Sequence, residues 1–309
     1  MKQLFNWLKK PFRLGIIYSL CLTLTVGYVL LDTFVIPKEL ASNDANTQSL
    51  DPNQTTTKES ATTTAATITD TSYQDENISI AIATERANDT TFYVVDIQLS
   101  SADYLKTAFA QGSYGRNIKE TTSTIAKEQQ AILAINGDYY GFRDTGYVLR
   151  NGETYRDTPW EGTDALVIDS AGNFSTYSED DNSLADILTA QNAQQVLSFG
   201  PTLIQDSQIV ISTNTEVSQS KSSNPRTAIG QIDDRHYVMI VSDGRTDESE
   251  GLSLYQLAEE FASRGASIAY NLDGGGSSTL WFNGQVINQP TDGRQIKERS
   301  VSDIIYIGY

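Results

Sequence analysis

Residues 253–278 read SLYQLAEEFASRGASIAYNLDGGGSS. Leu254, Leu257, Ala258, Phe261 and Ala262 recur at helical spacing and fall on one face. Ser253 and Gln256 have the spacing of a capping box, and Gly265 supplies a stop. The apolar run that follows, ASIAYNL, is too short for a helix and reads as a buried strand. Upstream, RHYVMIVSDG (235–244) reads as another strand that runs into a turn. Strand, helix and strand from Tyr237 to Leu272 form a βαβ unit with a right-handed crossover and parallel strands. Ligands gather at the C-terminal ends of such strands. Those ends are SDGR (242–245) and NLDGGGSS (271–278), expected side by side, each with a carboxylate followed by glycine.

The rest of the C-terminal part alternates the same way. ISIAIATE (78–85) and TFYVVDIQL (91–99) are strand runs around a turn cluster. TTSTIAKEQQ (121–130) reads as a helix and AILAING (131–137) as a buried strand. YVLRNGETYR (147–156) carries the Asn-Gly of a two-residue hairpin, and ALVIDSAGNFSTY (165–177) repeats the hairpin pattern. SLADILTAQ (183–191) begins with the capping spacing Ser183–Asp186. The expected fold is α/β in the broad, mixed α+β sense: mixed twisted sheets with packed helices, including the C-terminal βαβ unit. Residues 76–309 suit one large domain.

The N-terminus is different. Residues 14–31, LGIIYSLCLTLTVGYVLL, contain no charge, follow the basic tail 1–13 with Lys2, Lys9, Lys10 and Arg13, and precede Asp32. This is about the minimum for a membrane-spanning helix, oriented with the N-terminus cytoplasmic and the remainder outside. A cleaved signal peptide is the competing reading. Residues 32–75 are rich in Thr, Ser and Asn and nearly free of large apolar side chains, so they are expected to form a disordered stalk.

Composition excludes several functions. The formal net charge is −17, and after residue 13 there are 18 basic against 39 acidic residues. Such a surface repels nucleic acid. One cysteine (Cys21) and one histidine (His236) rule out an intrachain disulfide and a Cys/His zinc site. His236 follows DDR at a strand start and reads as a surface residue, not a triad base. No Lys follows the glycines of DGGGSS, and the G-x-S-x-G spacing fails, so neither a P-loop nor a nucleophile elbow is present.

What remains are carboxylates, arginines and exposed amides. The glycines of DGGGSS can bring backbone N–H groups to a ligand oxygen, or can serve only a tight turn. AINGDYYG (134–141) ends a buried strand in Asn136, Gly137 and Asp138, followed by two tyrosines that could stack on a pyranose ring or fill the core. NPRTAIG (224–230) places Arg226 at a strand entrance, where it is either solvated or a phosphate fork; Arg245 could act likewise. Asp138, Asp243 and Asp273 all adjoin glycine at strand ends, and paired carboxylates are what glycoside cleavage needs.

These motifs, together with the tail RSVSDIIYIGY (299–309), resemble the phosphodiester glycosidase family over roughly Ile78–Tyr309. Bacterial members are often described as exopolysaccharide biosynthesis proteins. The resemblance implies a hydrolase that cleaves a sugar-1-phosphodiester of the GlcNAc-1-phospho-sugar type, releasing free sugar and a phosphomonoester. With this chemistry, Asp273, Asp243 and Asp138 are the expected catalytic carboxylates, of which Asp273 matches the family's glycine-rich loop and Asp138 its NG strand end. Asn136, Arg226, Arg245, Gly274, Gly275, Gly276 and Ser277 would bind substrate and phosphate. The chain reads NGDYY where the family often has NGGFF, which makes Asp138 a departure. No cofactor is implied, although the carboxylates could hold a divalent cation, Ca2+ or Mg2+; no complete ligand set such as an EF-hand loop occurs. The expected partner is a cell-surface glycan, reached from a single-pass anchor at 14–31 with the catalytic domain outside. The alternatives are a non-catalytic polysaccharide-binding or assembly protein and a metal-dependent phosphodiesterase.

Overall fold

A computed structural model describes residues 11–40, 66–216 and 223–309. Among the described residues, three large sheets and three short α-helices, with three two-stranded pairs, make up the C-terminal part. The largest sheet has nine strands, ordered Gln208–Ile209, Thr202–Gln205, Ile268–Asn271, Thr227–Asp233, His236–Ser242, Thr90–Leu99, Ile78–Ala87, Ser72–Gln74 and Thr67–Ile68. A five-stranded sheet runs Gln285–Val286, Leu280–Phe282, Leu133–Asn136, Asp303–Ile307 and Leu105–Phe109. A second five-stranded sheet runs Glu153–Arg156, Val148–Arg150, Ala193–Ser198, Asp164–Asp169 and Phe174–Ser178. The fold is mixed α+β and mostly sheet.

Strand alternation explains how three sheets share one core. Successive side chains point to opposite faces. Tyr237, Met239 and Val241 face a central core with Leu133, Ile135, Leu166, Ile168, Ile305 and Ile307 from the other two sheets. The intervening Val238 and Ile240 face the other way, under helix Leu254–Ser263. Likewise Ala134, Ile304 and Tyr306 lie with Ile125 and Ala126 of helix Thr122–Glu128. Ala165 and Val167 lie with Leu184 and Ile187 of helix Leu184–Gln191. The central strands of each sheet are therefore buried on both faces, which is why they read as continuous apolar runs, whereas Ile78–Ala87 at the margin alternates buried and exposed.

The helix at 253–265 forms as its sequence dictates. The Ser253–Gln256 capping box is complete, Leu254, Leu257, Ala258 and Phe261 are buried, and Gly265 adopts φ +77°. Ala262, expected on the same face, is exposed. Phe261 packs so close to the sheet that a Cβ on Gly230 would come within 2.9 Å of its ring. Burying the three large side chains contributes roughly 1.5–3 kcal/mol each.

The two strands of the βαβ unit are parallel but not neighbours. Thr227–Asp233 lies between them and pairs antiparallel with both. The ends SDGR and NLDGGG are thus separated by the entrance of that middle strand, Pro225–Arg226, and three motifs instead of two meet at one edge.

At the N-terminus, helix Pro11–Phe34 has one span, Gly15–Phe34, long and apolar enough to cross a membrane, with mean hydropathy 1.7 and none of it buried. Its hydroxyls bond within the helix, Thr23 to the Ser19 carbonyl and Thr25 to that of Cys21. The segment after the helix is not free of the domain. Lys38–Glu39 pairs with Gly115–Arg116, and the Asn117 amide donates to the Thr33 and Ile36 carbonyls. At the other end of the expected stalk, Thr67–Ile68 and Ser72–Gln74 already belong to the large sheet, with Tyr73 packed against its core. The stalk residues between, 41–65, and the basic tail through residue 10 lie outside the described residues.

Candidate active site

Asn136 is the joint between two strand ends. It is fully buried at the end of Leu133–Asn136. Its Nδ2 donates to the Asp273 carbonyl at 2.6 Å, and its Oδ1 accepts from Thr227 Oγ1 (2.8 Å) and the Thr279 amide (3.2 Å). The Asp273 amide in turn donates to the Gly137 carbonyl at 3.3 Å. Asn136 thus clamps the start of the glycine loop to the neighbouring sheet.

The loop folds as a single 3-10 turn at Gly275–Ser277. The Gly274 amide donates to Asp273 Oδ1 (2.9 Å), and the Gly275 amide to the Pro225 carbonyl (2.8 Å). The Ser277 amide donates to the Gly274 carbonyl at 3.2 Å. The Gly276 amide has no acceptor among the described residues. The glycines serve close approach. A Cβ on Gly275, at φ +62°, would meet Arg245 Nη2 at 2.6 Å. A Cβ on Gly276 would meet Arg299 Nη2 at the same distance, and one on Gly274 would meet the Pro225 carbonyl at 2.8 Å.

Arginines therefore crowd a loop in an otherwise acidic chain. Arg245 is exposed, at φ +63°, and anchored through Nε to Asn224 Oδ1 (2.9 Å). Burial and the Arg299 cation lower its pKa. Arg299 is anchored through Nε to Asp292 Oδ1 at 2.9 Å. In both, the Nη groups lie along the glycines. Arg226 is buried, donates from Nε to the Leu252 carbonyl (3.0 Å), and is pushed down to about 10 by burial and the Arg245 cation, against the pull of Glu216. Cations held this close are stabilised by an anion between them.

Asp273 sits among them. Loss of water pushes its carboxyl up to about 6, against the pull of the Arg299 cation, the Gly274 amide and the Arg143 cation. A carboxylate with a value near neutrality suits proton transfer. Beside it, Tyr139 holds the left-handed conformation, φ +69°, half exposed and stacked on Phe142 with ring centroids 4.5 Å apart. Burial and the Asp273 charge raise the Tyr139 pKa. Its neighbour Tyr140 is buried and stacks on Tyr114. Of the two adjacent tyrosines, one faces the cleft and one the core.

The other two aspartates are tied into the framework. Asp138 is fully buried and accepts from the Tyr140 amide (3.1 Å) and the Ser198 amide (2.8 Å). Its Oδ2 lies 3.2 Å from Arg150 Nη2. Asp303 lies 2.7 Å from the same nitrogen and accepts from the Asp138 amide. Burial and the Asp138 charge raise the Asp303 pKa, and the Arg150 cation offsets part of that rise. Gly137 is glycine because a Cβ there would collide with the Asp303 carboxyl. Arg143 links this network to the cleft: it lies 3.8 Å from Asp138, bonds to the Ser198 carbonyl and is felt electrostatically by Asp273. Asp243 is buried at the end of His236–Ser242, accepts from the Gln289 amide (2.7 Å) and Tyr93 (3.4 Å), and has its pKa raised by burial. It pins SDGR to the 289 segment and does not contact Asp273 or Asp138. His236 pairs with Asp96 at 2.9 Å, at the far end of its strand, roughly 20 Å from the loops. Among the described residues, no group of three or more His, Cys, Asp or Glu side chains gathers to hold a metal ion.

Sequence reasoning did not single out Arg299, Arg143, Arg150 or Asp303. A carboxylate heading an apolar run, as in SDIIYI, was the available signal for Asp303.

A carboxylate, arginines and a glycine loop thus meet at one sheet edge. The phosphodiester glycosidase family model matches residues 129–308, more than half the chain, and the chain belongs to that family. It is 34% identical over 215 residues to the uncharacterized SPbeta prophage-derived protein YomE of Bacillus subtilis (strain 168), covering 67% of this chain and 32% of that one. It is 34% identical over 98 residues to mouse N-acetylglucosamine-1-phosphodiester alpha-N-acetylglucosaminidase, 30% of this chain and 19% of the mouse protein. The chain thus spans about a third of the first relative and about a fifth of the second. Among solved structures, it matches the zebrafish N-acetylglucosamine-1-phosphodiester alpha-N-acetylglucosaminidase catalytic domain, described as auto-inhibited by its pro-peptide, with TM-score 0.61 and 22% identity. That match covers 75% of this chain and 83% of that one. A hypothetical protein from Synechocystis matches with TM-score 0.55 and 16% identity over 75% of this chain and 62% of that chain. At these identities the structures show a shared fold.

Proposed function

We propose that the chain is a hydrolase that cleaves the glycosidic side of a sugar-1-phosphodiester. The observation that carries this reading is the crowding of Arg245 and Arg299 against Gly275 and Gly276 beside Asp273. The Nη groups of the two arginines and the Gly276 amide hold the phosphate, and Arg226 adds positive potential behind them. Asp273 faces the anomeric carbon. Water adds to that carbon, the carbon–oxygen bond breaks, and the phosphomonoester leaves with the bonding electrons. The proton from water passes to the Asp273 carboxylate. Phosphate is a weakly basic leaving group, so no strong acid is required. Asn136, Asp138 and Asp243 act by positioning the loop and the strand ends.

The substrate in this reading is a phosphodiester-linked sugar of a cell-surface glycan or exopolysaccharide. The apolar span Gly15–Phe34 would anchor the chain in the cell membrane with the catalytic domain outside. Docking of Lys38–Glu39 on Gly115–Arg116 would hold that domain near the bilayer.

The test is incubation of the full chain in detergent micelles with UDP-GlcNAc and with a GlcNAc-1-phospho-sugar diester. Free GlcNAc and a phosphomonoester are expected. Release of GlcNAc-1-phosphate would mean cleavage of a P–O bond instead. Absence of turnover on every sugar-1-phosphodiester, with the fold intact, would leave a binding protein.

A further inference from the structure

Beside Trp160, on which Arg143 stacks, lies a cavity of about 380 Å³ that the reading above leaves unused. Its size falls in the low part of the roughly 300–1,000 Å³ range of small-ligand sites. Trp160 and Phe199 line it, with Pro201 and three carboxylates, Glu161, Asp164 and Glu216. No lysine or arginine is among its lining residues.

Contacts join the wall of the cavity to the catalytic groups. The Arg143 guanidinium lies over the Trp160 ring at 4.5 Å, and the same side chain reaches Asp138 and acts on Asp273. Asn271, two residues before Asp273, donates to the carbonyl of Gly200 in the cavity wall at 2.7 Å. Glu216 acts electrostatically on Arg226. Trp160 is also held in place from behind. Its amide donates to Glu179 Oε2 (2.7 Å), and its carbonyl accepts from Thr163 (3.1 Å). One face of the indole is covered by Arg143, and the residue is half-buried, which leaves an aromatic surface at the cavity wall.

The two halves have opposite electrostatics. Arginines crowd the glycine loop, whereas carboxylates and aromatic rings line the cavity. An anion is drawn to the first and repelled from the second. A sugar ring has apolar faces for an aromatic side chain and hydroxyl donors for carboxylates. We infer that the Trp160 cavity is the subsite for the sugar released by the reaction, and that it admits an uncharged ring and rejects an anionic one. This rests on the phosphodiester reading for the position of the phosphate. The enzyme would then be specific for neutral sugars carried on phosphate, and poor on uronic-acid or phosphorylated glycones.

The experiment separates this from the activity itself. In the Trp281→Phe background of the full chain, emission reports Trp160 and Trp7, and a further Trp7→Phe substitution leaves Trp160 alone. Free N-acetylglucosamine or glucose is expected to change the emission saturably, and glucuronic acid to bind at least about tenfold more weakly. Glu161→Gln with Glu216→Gln should shrink that preference, with the fold checked by circular dichroism. In turnover, Trp160→Ala should raise KM about tenfold with kcat nearly unchanged and inhibition by inorganic phosphate unaltered, whereas Trp160→Phe should keep most of the affinity. A cavity that gives no saturable response to any neutral monosaccharide, or responds equally to glucuronic acid, overturns the inference. The emission arm needs no catalysis, so an inactive protein that still binds neutral sugar would refute the hydrolase reading alone.

Discussion

The side-chain amide of Asn136 donates to the main-chain carbonyl of Asp273 across 137 residues of sequence, at 2.6 Å. Through this bond one sheet sets the start of the glycine loop carried by another. Asn136→Ala should leave Asp273, Thr227 and Thr279 without their buried partner and cost on the order of 3 kcal/mol. Urea denaturation measures the cost, and kcat should fall more than KM rises.

Gly276 allows the Arg299 guanidinium to lie on the loop. Gly276→Ala should displace that guanidinium without unfolding the chain. KM for the diester should rise about tenfold, the loss of one charge-assisted contact. Arg299→Ala should match it, and the double variant should be little worse than either, as a double-mutant cycle would show. Full additivity would mean that the glycine serves something else.

Asp273 should control both the pH profile and the stability. As the base it acts ionised, so activity should rise with pH through about 6. Because its folded value lies above its unfolded value, the folded chain holds the proton more readily, and stability falls as pH rises from about 4 through 6. Asp273→Asn should therefore be inactive yet more stable at pH 8, by on the order of 2 kcal/mol, with the gain shrinking toward pH 4. Thermal melts of both proteins across that range test the sign.

One guanidinium nitrogen of Arg150 contacts two buried carboxylates, Asp138 and Asp303. Arg150→Met would leave both without their cation and should cost about 3–5 kcal/mol. Adding Asp303→Asn should recover part of that loss. If the single variant is as stable as the parent in guanidinium, the network contributes nothing.

Arginines, not a metal, neutralise the phosphate in the proposed reaction. Activity should therefore persist in EDTA. Loss of activity that Ca2+ or Mg2+ restores would place a cation in the site.

Local chemistry made much of this chain legible before any fold was known. The Ser253–Gln256 capping box, the Asn151–Gly152 hairpin turn with both residues at positive φ, and the Ser183 cap all depend on neighbours within a few residues. Continuous apolar runs marked the central strands because both of their faces are buried, and alternation marked Ile78–Ala87, which has one face exposed. NPR, SDGR and DGGG were recognisable as polar strand ends. What the chain could not disclose by itself was adjacency. Periodicity says which face of a strand is buried, not which strand lies beside it, so the insertion of Thr227–Asp233 into the βαβ unit was invisible. The same holds for Arg299 on Gly276, for Asp303 beside Arg150 from 153 residues away, and for Trp160 under Arg143. Those pairings arise only when three sheets close on one core, because burying that shared apolar face is what brings distant charged residues to a common edge.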